Sequence, residues 1–356
     1  MLCSDIKDSR QGGEMFDFLD MSREDLLRST GMLDQVAGIT RFIYNDGNAK
    51  GLPAARVRNG SGLDFTVLEG RSLEIYDLTY KGINIPFYYK NGLMAPERIP
   101  IASNEYKNYG SGGFMYTSGL MNSGPENICD GLFHPLHGRI SLSSVKNVET
   151  FSGYNEEGEF ELRMRGTSSE SRLFEHNLQL QRTLSTKFNS NILKIQDKVI
   201  NNTCRDEQFA IMYHMNLGFP FLSEHTKIQV PKETESKPID AWSDKHFDSR
   251  FDMMSPTDNF TEVLYIHDIP ADDNGNCVLS VINVQLKLKL IISFKKQAIP
   301  YLVEWKSMGS GDYSLGLMPS TSTMQGRSKE LEKGGYKTVP AFGACSLGYQ
   351  VEFVEL

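Results

Sequence analysis

The 356-residue chain has few cysteines, and they lie far apart. They are five in number, and none belongs to a CxxC pair or stands at a Cys/His spacing typical of zinc sites: Cys3, Cys129, Cys204, Cys277 and Cys345. Disulfide frameworks and structural zinc sites need such groupings. The sequence therefore predicts free thiols in a reducing compartment and no bound metal.

Long hydrophobic runs are also missing. The stretch from Met1 to Met21 is polar and lacks the apolar centre of a secretory signal. Uninterrupted apolar runs such as Leu290–Ile292 are far too short to cross a bilayer. We therefore expect a cytoplasmic protein without a membrane partner.

An excess of positive charge is absent as well. Asp and Glu number 45 against 37 Lys and Arg, which gives a net charge of −8 and a pI of about 5.5. Nucleic-acid binding requires a basic footprint, so nucleic acid is not an expected partner. The hydrophobic share of 39% is that of an ordinary globular protein with a sizeable core.

Short motifs that mark common cofactor and hydrolase sites are not found. The chain has no P-loop, no HExxH and no GxSxG. The glycines of 110–113 lack the GxGxxG spacing of a dinucleotide site. No cofactor is predicted.

Apolar and polar residues alternate in most of the chain after residue 60. The alternation is clearest in 160–165, 286–294 and 347–353, where every second residue is apolar. Strands with one buried face show this period, and turn signals such as 272–275 separate them. Because no helical pattern lies between these strands, the sequence predicts an all-β fold, a large antiparallel β-sandwich.

Helical signals are few and lie near the N-terminus. Ser22 and Asp25 form a weak capping box, and Arg23–Thr30 is predicted to be a short helix. No repeat or linker divides the remaining chain. We expect 1–30 to be an N-terminal helical or extended segment and 31–356 to be a single β-sandwich domain.

Two histidines stand in polar surroundings. In the run Phe133–Ile140, His137 is followed by a glycine and then by Arg139. In the second run, His214 and Asn216 would point to the same face of a strand. Both runs indicate the wall of a polar pocket. The alternative is that each histidine only satisfies a buried hydrogen bond.

A further polar run precedes both histidines. Residues 117–125 are rich in serine, glycine and asparagine. A loop of this kind suits hydrogen bonding to a polyol, with Asn122 as the candidate side chain. A plain turn explains the same residues equally well.

The order and spacing of several short motifs resemble one family. These motifs are Glu69–Ile75, Pro135–Arg139, Asn177–Thr183, Tyr213–Gly218, Trp305–Lys306 and Tyr313–Gly316. From residue 31 to the C-terminus the chain is similar to the aldose 1-epimerase (galactose mutarotase)-like superfamily, and more narrowly to its bacterial DUF4432 branch. The resemblance implies a β-supersandwich with a sugar site in a cleft on one sheet face.

The resemblance also implies roles for individual residues. In mutarotases an early arginine and a histidine before a glycine bind sugar hydroxyls, and Arg71 and His137 match them. A histidine on a strand protonates the ring oxygen, and His214 matches it. Further contacts to the sugar are expected from Asn122, Arg139, Asn216 and Lys306.

The general base departs from the family pattern. The resemblance places a glutamate where this chain has Met318, and a thioether has no usable basicity. Met318 is therefore expected only to contact the substrate. Alternatively, Met318 packs in the core and the motif alignment is shifted by one or more positions. Glu262 is predicted to supply the base, and Asp312 is another candidate. Alternatively, Glu262 only orients a sugar hydroxyl or Arg71.

Three classes of function remain open. The first is an isomerase that interconverts anomers or epimers of a monosaccharide or modified sugar by acid–base ring opening. The second is a non-catalytic sugar-binding or sensing protein that has lost the base. The third is a glycoside hydrolase or lyase, although no pair of facing carboxylates for hydrolysis is evident. A monosaccharide or sugar derivative is the predicted partner, and the protein is expected to be a monomer or weak homodimer.

Overall fold

The computed structural model describes residues 21–99, 106–110 and 112–356. Its 22 strands, in chain order, are β1 (Gly38–Ile43), β2 (Pro53–Arg58), β3 (Leu63–Leu68), β4 (Glu74–Tyr80), β5 (Ile83–Asn84), β6 (Met115–Leu120), β7 (Asn127–Cys129), β8 (Leu132–His134), β9 (Lys146–Tyr154), β10 (Phe160–Ser171), β11 (Asn177–Lys187), β12 (Ile192–Asn201), β13 (Glu207–Leu217), β14 (Thr226–Gln229), β15 (Glu235–Pro238), β16 (Val263–Asp268), β17 (Asn276–Asn283), β18 (Leu288–Lys295), β19 (Tyr301–Gly309), β20 (Asp312–Ser320), β21 (Lys337–Val339) and β22 (Ala344–Glu355). The predicted all-β class is confirmed.

Helices in the described residues are short. They are α1 (Arg23–Ser29), α2 (Tyr106–Tyr109), α3 (Ala241–Lys245) and α4 (Arg327–Glu332). Single 3-10 turns occur at Leu33–Gln35, Gly47–Ala49, Pro96–Arg98, Ile140–Leu142 and Phe247–Ser249. None of the helices described is long and apolar enough to span a membrane.

Helix α1 confirms the helix predicted near the N-terminus. Ser22 caps it, because its side chain accepts a hydrogen bond from the backbone N–H of Asp25 at 3.1 Å. Residues 1–20 of the predicted N-terminal segment lie outside the described residues. The division into a segment 1–30 and a single domain 31–356 stays a prediction.

The first sheet contains twelve strands. Ten of them follow the order β1–β2–β3–β4–β6–β13–β20–β19–β16–β15, while β5 pairs with β4 and β21 with β13. Near its middle, strands that are distant in sequence become antiparallel neighbours. His214 of β13 lies opposite Tyr116 of β6, and Met215 lies opposite Leu317 of β20.

The second sheet contains eight strands in the order β14–β17–β18–β22–β12–β11–β10–β9. Strands β10 and β11 bury alternate side chains along their length, as the sequence period predicted. Strand β18 begins two residues later than the pattern indicated, because 284–287 form the turn that follows β17. Strands β7 and β8 form a separate hairpin.

The two large sheets enclose an apolar core. On β13, Tyr213 and Met215 belong to this core, and the Tyr213 ring lies 4.9 Å from the ring of Tyr349 on β22. Because neighbouring residues of a strand point to opposite faces, His214 and Asn216 point away from the second sheet. This is the common orientation that the sequence predicted for these two residues.

A buried ion pair within the second sheet is hydrogen-bonded to the first sheet. Arg182 of β11 donates to both carboxylate oxygens of Asp197 on β12, at 2.9 and 2.7 Å. The same guanidinium donates to the carbonyl of Ser72 at 3.0 Å and to the hydroxyl of Thr117 on β6 at 2.7 Å. These hydrogen bonds offset the desolvation of the two charges and link the layers behind the outer face of the first sheet.

Candidate active site

A cavity of about 790 Å³ opens on the outer face of the first sheet, and we call it the central cavity. Five neighbouring strands each contribute a lining residue: Tyr116 from β6, His214 from β13, Met318 from β20, Trp305 from β19 and Leu264 from β16. Loops supply further lining residues, among them Phe87, Lys90, His137, Phe260 and Glu262. The cavity therefore combines residues that only the sheet topology brings together.

Aromatic rings and two imidazoles form a cluster in this cavity. The His214 ring stacks on Tyr116 with 4.3 Å between ring centroids. His137 lies edge-on to both rings, at 5.5 Å from His214 and 5.6 Å from Tyr116. Trp305 completes the cluster, edge-on to His214 at 6.1 Å. The packing holds both imidazoles in fixed orientations.

His214 is buried and only 5% exposed. Burial, followed by the nearby His137, lowers the pKa of His214 well below its ordinary value of 6.5. Its Nδ1 and the Oδ1 of Asn216 are both buried without a hydrogen-bond partner among the described residues. Asn216 itself donates to the carbonyl of Gly113 at 3.0 Å and lies beside His214 without lining the cavity.

The backbone around His137 is tightly constrained. His137 has a left-handed φ of 60°, and its Nδ1 lies 3.2 Å from the hydroxyl of Ser118. The following Gly138 cannot be replaced without strain, because a Cβ there would lie 2.2 Å from the carbonyl oxygen of Gly119. Burial lowers the pKa of His137 to about 4. Both cavity histidines are therefore mostly uncharged at neutral pH.

Glu262 enters the cavity directly before β16. Its Oε2 accepts a hydrogen bond from the indole Nε1–H of Trp305 at 2.6 Å. The pairing of β16 with β19 places Leu264 opposite Trp305, which brings Glu262 alongside the indole. Glu262 and His214 thus both contact the same tryptophan.

A second carboxylate lies in the same cavity. Asp312 begins β20, and its Oδ2 accepts an ion-paired hydrogen bond from Lys90 at 2.7 Å. Both side chains are largely exposed to solvent. Of the described lining residues, Glu262 and Asp312 are the two that carry a carboxyl group.

Met318 lies at the position where the family resemblance implies a glutamate. It is fully buried, packs with Met212 and Val303, and is flanked by Trp305 and Met324. It also borders the central cavity. The expected contact of Met318 with the substrate stays a prediction.

The structure places two of the predicted sugar ligands away from the cavity. Arg71 is 3% exposed and donates to Glu74 Oε2 and to the hydroxyl of Ser141, both at 3.0 Å. Asn122 is fully buried and donates to the carbonyl of Pro135 at 2.8 Å. Both side chains hold neighbouring backbone segments, and neither lines the central cavity.

Lys306 also lies outside the central cavity. Its ammonium donates to the backbone carbonyls of Ser249 and Arg250 at 2.8 Å and of Asp252 at 3.1 Å. Burial lowers its pKa. The reason for its placement is local, since Trp305 faces the cavity and the next residue of a strand faces the other way.

Arg139 follows His137 by two residues but lines a different cavity. One of its terminal nitrogens donates to the carbonyl of Phe133 at 2.8 Å. Of the predicted site residues, the structure thus brings together His137, His214, Glu262 and Met318, together with the alternative base Asp312.

Sequence reasoning overlooked Tyr116 and assigned no role to Trp305. Tyr116 belongs to β6, in which all six residues are buried, so no alternation marked its cavity face. Trp305 belongs to a motif of the family resemblance. The available signal was strand alternation, which places Trp305 and its neighbour Lys306 on opposite faces. Lys90 lies in a loop, and no sequence pattern indicated it. Its ion pair with Asp312 connects it to the site.

Comparisons of the fold point to one class of protein. The chain resembles a Klebsiella pneumoniae protein provisionally named an aldose 1-epimerase, with a TM-score of 0.84, 20% identity, and coverage of 91% of this chain and 86% of the other. A galactose mutarotase-like protein of Clostridium acetobutylicum gives a TM-score of 0.62 and 14% identity, with coverage of 90% and 100%. Galactose 1-epimerase of Lactobacillus acidophilus gives a TM-score of 0.56 and 14% identity, with coverage of 90% of this chain and 99% of the other. The fold is therefore the galactose mutarotase-like β-sandwich.

Within this class of fold, the chain matches one particular family. Residues 49–352 match the family described as domain of unknown function DUF4432. The chain belongs to this family, and the resemblance stated from its motifs is confirmed. No curated protein sequence matches the chain.

Proposed function

We propose that the central cavity binds a monosaccharide or sugar derivative and that the protein interconverts its anomers, or epimers, by acid–base ring opening. The observation that carries the proposal is the shared contact of His214 and Glu262 with Trp305 in one cavity. An indole face suits the C–H face of a pyranose, and a few polar groups around it orient the hydroxyls.

In the proposed reaction Glu262 takes the proton of the anomeric hydroxyl. The C1–O5 bond then breaks, the anomeric oxygen becomes a carbonyl, and the imidazolium of His214 gives a proton to the ring oxygen. Closure on the other face of the carbonyl reverses both transfers and yields the other anomer. Each positioned acid or base contributes about 10² to 10⁴ in rate.

Burial of His214 affects this reaction in two ways. Because its pKa is lowered, the imidazolium is a stronger acid, but fewer molecules carry it at neutral pH. Enzyme-catalysed exchange should therefore slow as the pH rises from 6 to 8, by up to about tenfold per pH unit. A rate that does not change with pH over this range would mean that the neutral imidazole, not the imidazolium, is the active form of His214.

Glu262 is the better of the two candidate bases. Asp312 is held in an ion pair with Lys90, which occupies one of its carboxylate oxygens. Glu262 accepts its hydrogen bond from a neutral indole, which orients the carboxylate without neutralising it.

Polarimetry of freshly dissolved α-anomers tests these roles. We expect Glu262→Gln to reduce exchange by about 100-fold or more, with a melting temperature close to that of the wild type. The matched control is Asp312→Asn, which removes the other cavity carboxylate and should leave exchange within a few-fold of the wild type. Loss of exchange in the control but not in Glu262→Gln would contradict the assignment.

A second candidate function is sugar binding without turnover. Its support is Met318, whose thioether lines the cavity at the position where the resemblance implies the base. In that case, aldoses, uronates or deoxy sugars should raise the melting temperature while polarimetry detects no exchange. If none of these sugars binds more tightly than about 1 mM, both candidate functions fail.

We further propose that the protein works in the cytoplasm as a monomer or weak homodimer. The separated cysteines support a reducing compartment, since none of those described forms a disulfide. Light scattering after gel filtration at several concentrations tests the oligomeric state. A stable dimer at submicromolar concentration would contradict it.

A further inference from the structure

A second, smaller cavity of about 390 Å³ lies between two hairpins, and we call it the hairpin cavity. The β7–β8 hairpin and the loop after it contribute His134 and Arg139. The β10–β11 hairpin contributes Glu170, Arg172 and His176. None of these residues lines the central cavity. The hairpin cavity is thus a separate site.

Two arginines and a buried histidine of this cavity keep unused hydrogen-bonding capacity. The Arg139 guanidinium has five N–H donors, makes the one bond to Phe133 noted above, and has no ion pair within the described residues. Arg172 pairs with Glu175 at 3.4 Å and is largely exposed. His134 is 3% exposed, and its Nδ1 has no hydrogen-bond partner among the described residues. Several donors are therefore available to a ligand.

The one acidic group of the cavity is already engaged. Glu170 Oε2 accepts the backbone N–H of Leu120 at 2.7 Å and of Met121 at 3.4 Å. Burial raises the pKa of Glu170 to about 7, which reduces its negative charge at neutral pH. The arginines therefore dominate the charge of the cavity.

The same charges argue against a metal ion. Glu170, His134 and His176 are metal-ligating residue types, but the described residues contain no group of three positioned to hold a metal. Two guanidinium groups would also repel a cation. Guanidinium groups favour oxyanions instead, because their planar donors match phosphate and carboxylate geometry.

We propose that the hairpin cavity binds a phosphate-type oxyanion, either free or as a phosphomonoester, through Arg139 and Arg172. This site does not depend on the function proposed for the central cavity. An anion would also favour protonation of His134, whose pKa is lowered to about 4 by burial and then by Arg327 and Arg139. His134 would then add a donor to the bound anion.

Isothermal titration calorimetry of the full chain tests the proposal. The titrants are inorganic phosphate, glycerol 3-phosphate and, at matched ionic strength, sodium chloride. We expect saturable binding of at least one phosphate compound with a dissociation constant of about 1 mM or tighter, and none for chloride. Binding of both compounds indicates a site for phosphate itself, and binding of glycerol 3-phosphate alone indicates a site for a phosphomonoester.

Three variants make the test specific. Arg139→Met should weaken binding about tenfold to 100-fold, because a charge-assisted hydrogen bond is lost. Arg172→Met should weaken it as well, and its exposure means that the fold is kept. The matched control is Arg165→Met, which removes an exposed charge from β10 outside the cavity and should bind like the wild type. Absence of phosphate binding, or equal losses in the control and Arg172→Met, would overturn the proposal.

Discussion

The carboxyl group of Glu170 is expected to make the folded protein less stable as the pH rises, and Glu170→Gln tests this. Burial raises its pKa from the ordinary value of 4.5 to about 7, while the hydrogen bonds from Leu120 and Met121 oppose the shift. The folded state therefore holds the proton more tightly than the unfolded chain. Stability must fall as the pH rises from below 4.5 to above 7.

The size of the effect follows from the two pKa values. One pKa unit corresponds to about 1.4 kcal/mol, so the full difference is about 3 kcal/mol at pH 8. Glutamine has the same shape and no charge to desolvate. From pH 5 to pH 8, the stability of Glu170→Gln relative to the wild type should increase by about 2 kcal/mol.

Urea unfolding in phosphate-free buffer at pH 5 and pH 8 measures the difference. The matched control is Glu149→Gln, which removes a carboxylate from an exposed position on the neighbouring strand β9. The control should show less than about 0.5 kcal/mol of change over the same range. A pH-independent difference between Glu170→Gln and the wild type would refute the reasoning.

Three further predictions concern the cavity and the core. Trp305→Phe should lower the turnover number for anomer exchange about tenfold with little change in KM, because Glu262 loses the indole N–H that orients it. An unchanged turnover number in polarimetry would contradict this prediction. Asp197→Ala should lower the free energy of unfolding in urea by about 3 to 5 kcal/mol, because Arg182 is left as a buried unpaired charge; a loss below about 1 kcal/mol would contradict it. Met318→Glu should lower the free energy of unfolding by about 2 kcal/mol or more, because the carboxylate enters an apolar cluster. If the wild type lacks turnover, the same variant should raise anomer exchange about 100-fold. A variant as stable as the wild type would contradict the packing described for Met318.

Much of the fold follows from sequence because each strand carries its own period. The alternation in 160–165 predicts β10, and the same rule predicts that His214 and Asn216 share one face of β13. These are local properties of the chain, set by the two-residue repeat of a strand. The start of β18 was less predictable, because turn residues before it continued the apolar pattern.

The candidate site was less predictable because it depends on pairing between distant strands. Tyr116 stacks on His214 only because β6 and β13 are neighbours in register, nearly 100 residues apart in the chain. A motif match also does not say which of its residues faces the ligand. Trp305 and Lys306 share one motif, yet the pleat sends the first into the cavity and the second toward backbone carbonyls.

The loop after β8 shows how one short segment serves both cavities. The left-handed φ of His137 and the glycine after it reverse the chain within three residues. A Cβ at Gly138 would lie 2.5 Å from the carbonyl oxygen of Asn122 as well as close to Gly119, so this turn has little room to change. His137 therefore reaches the central cavity while Arg139 reaches the hairpin cavity. The same turn thus sets the position of one lining residue in each cavity.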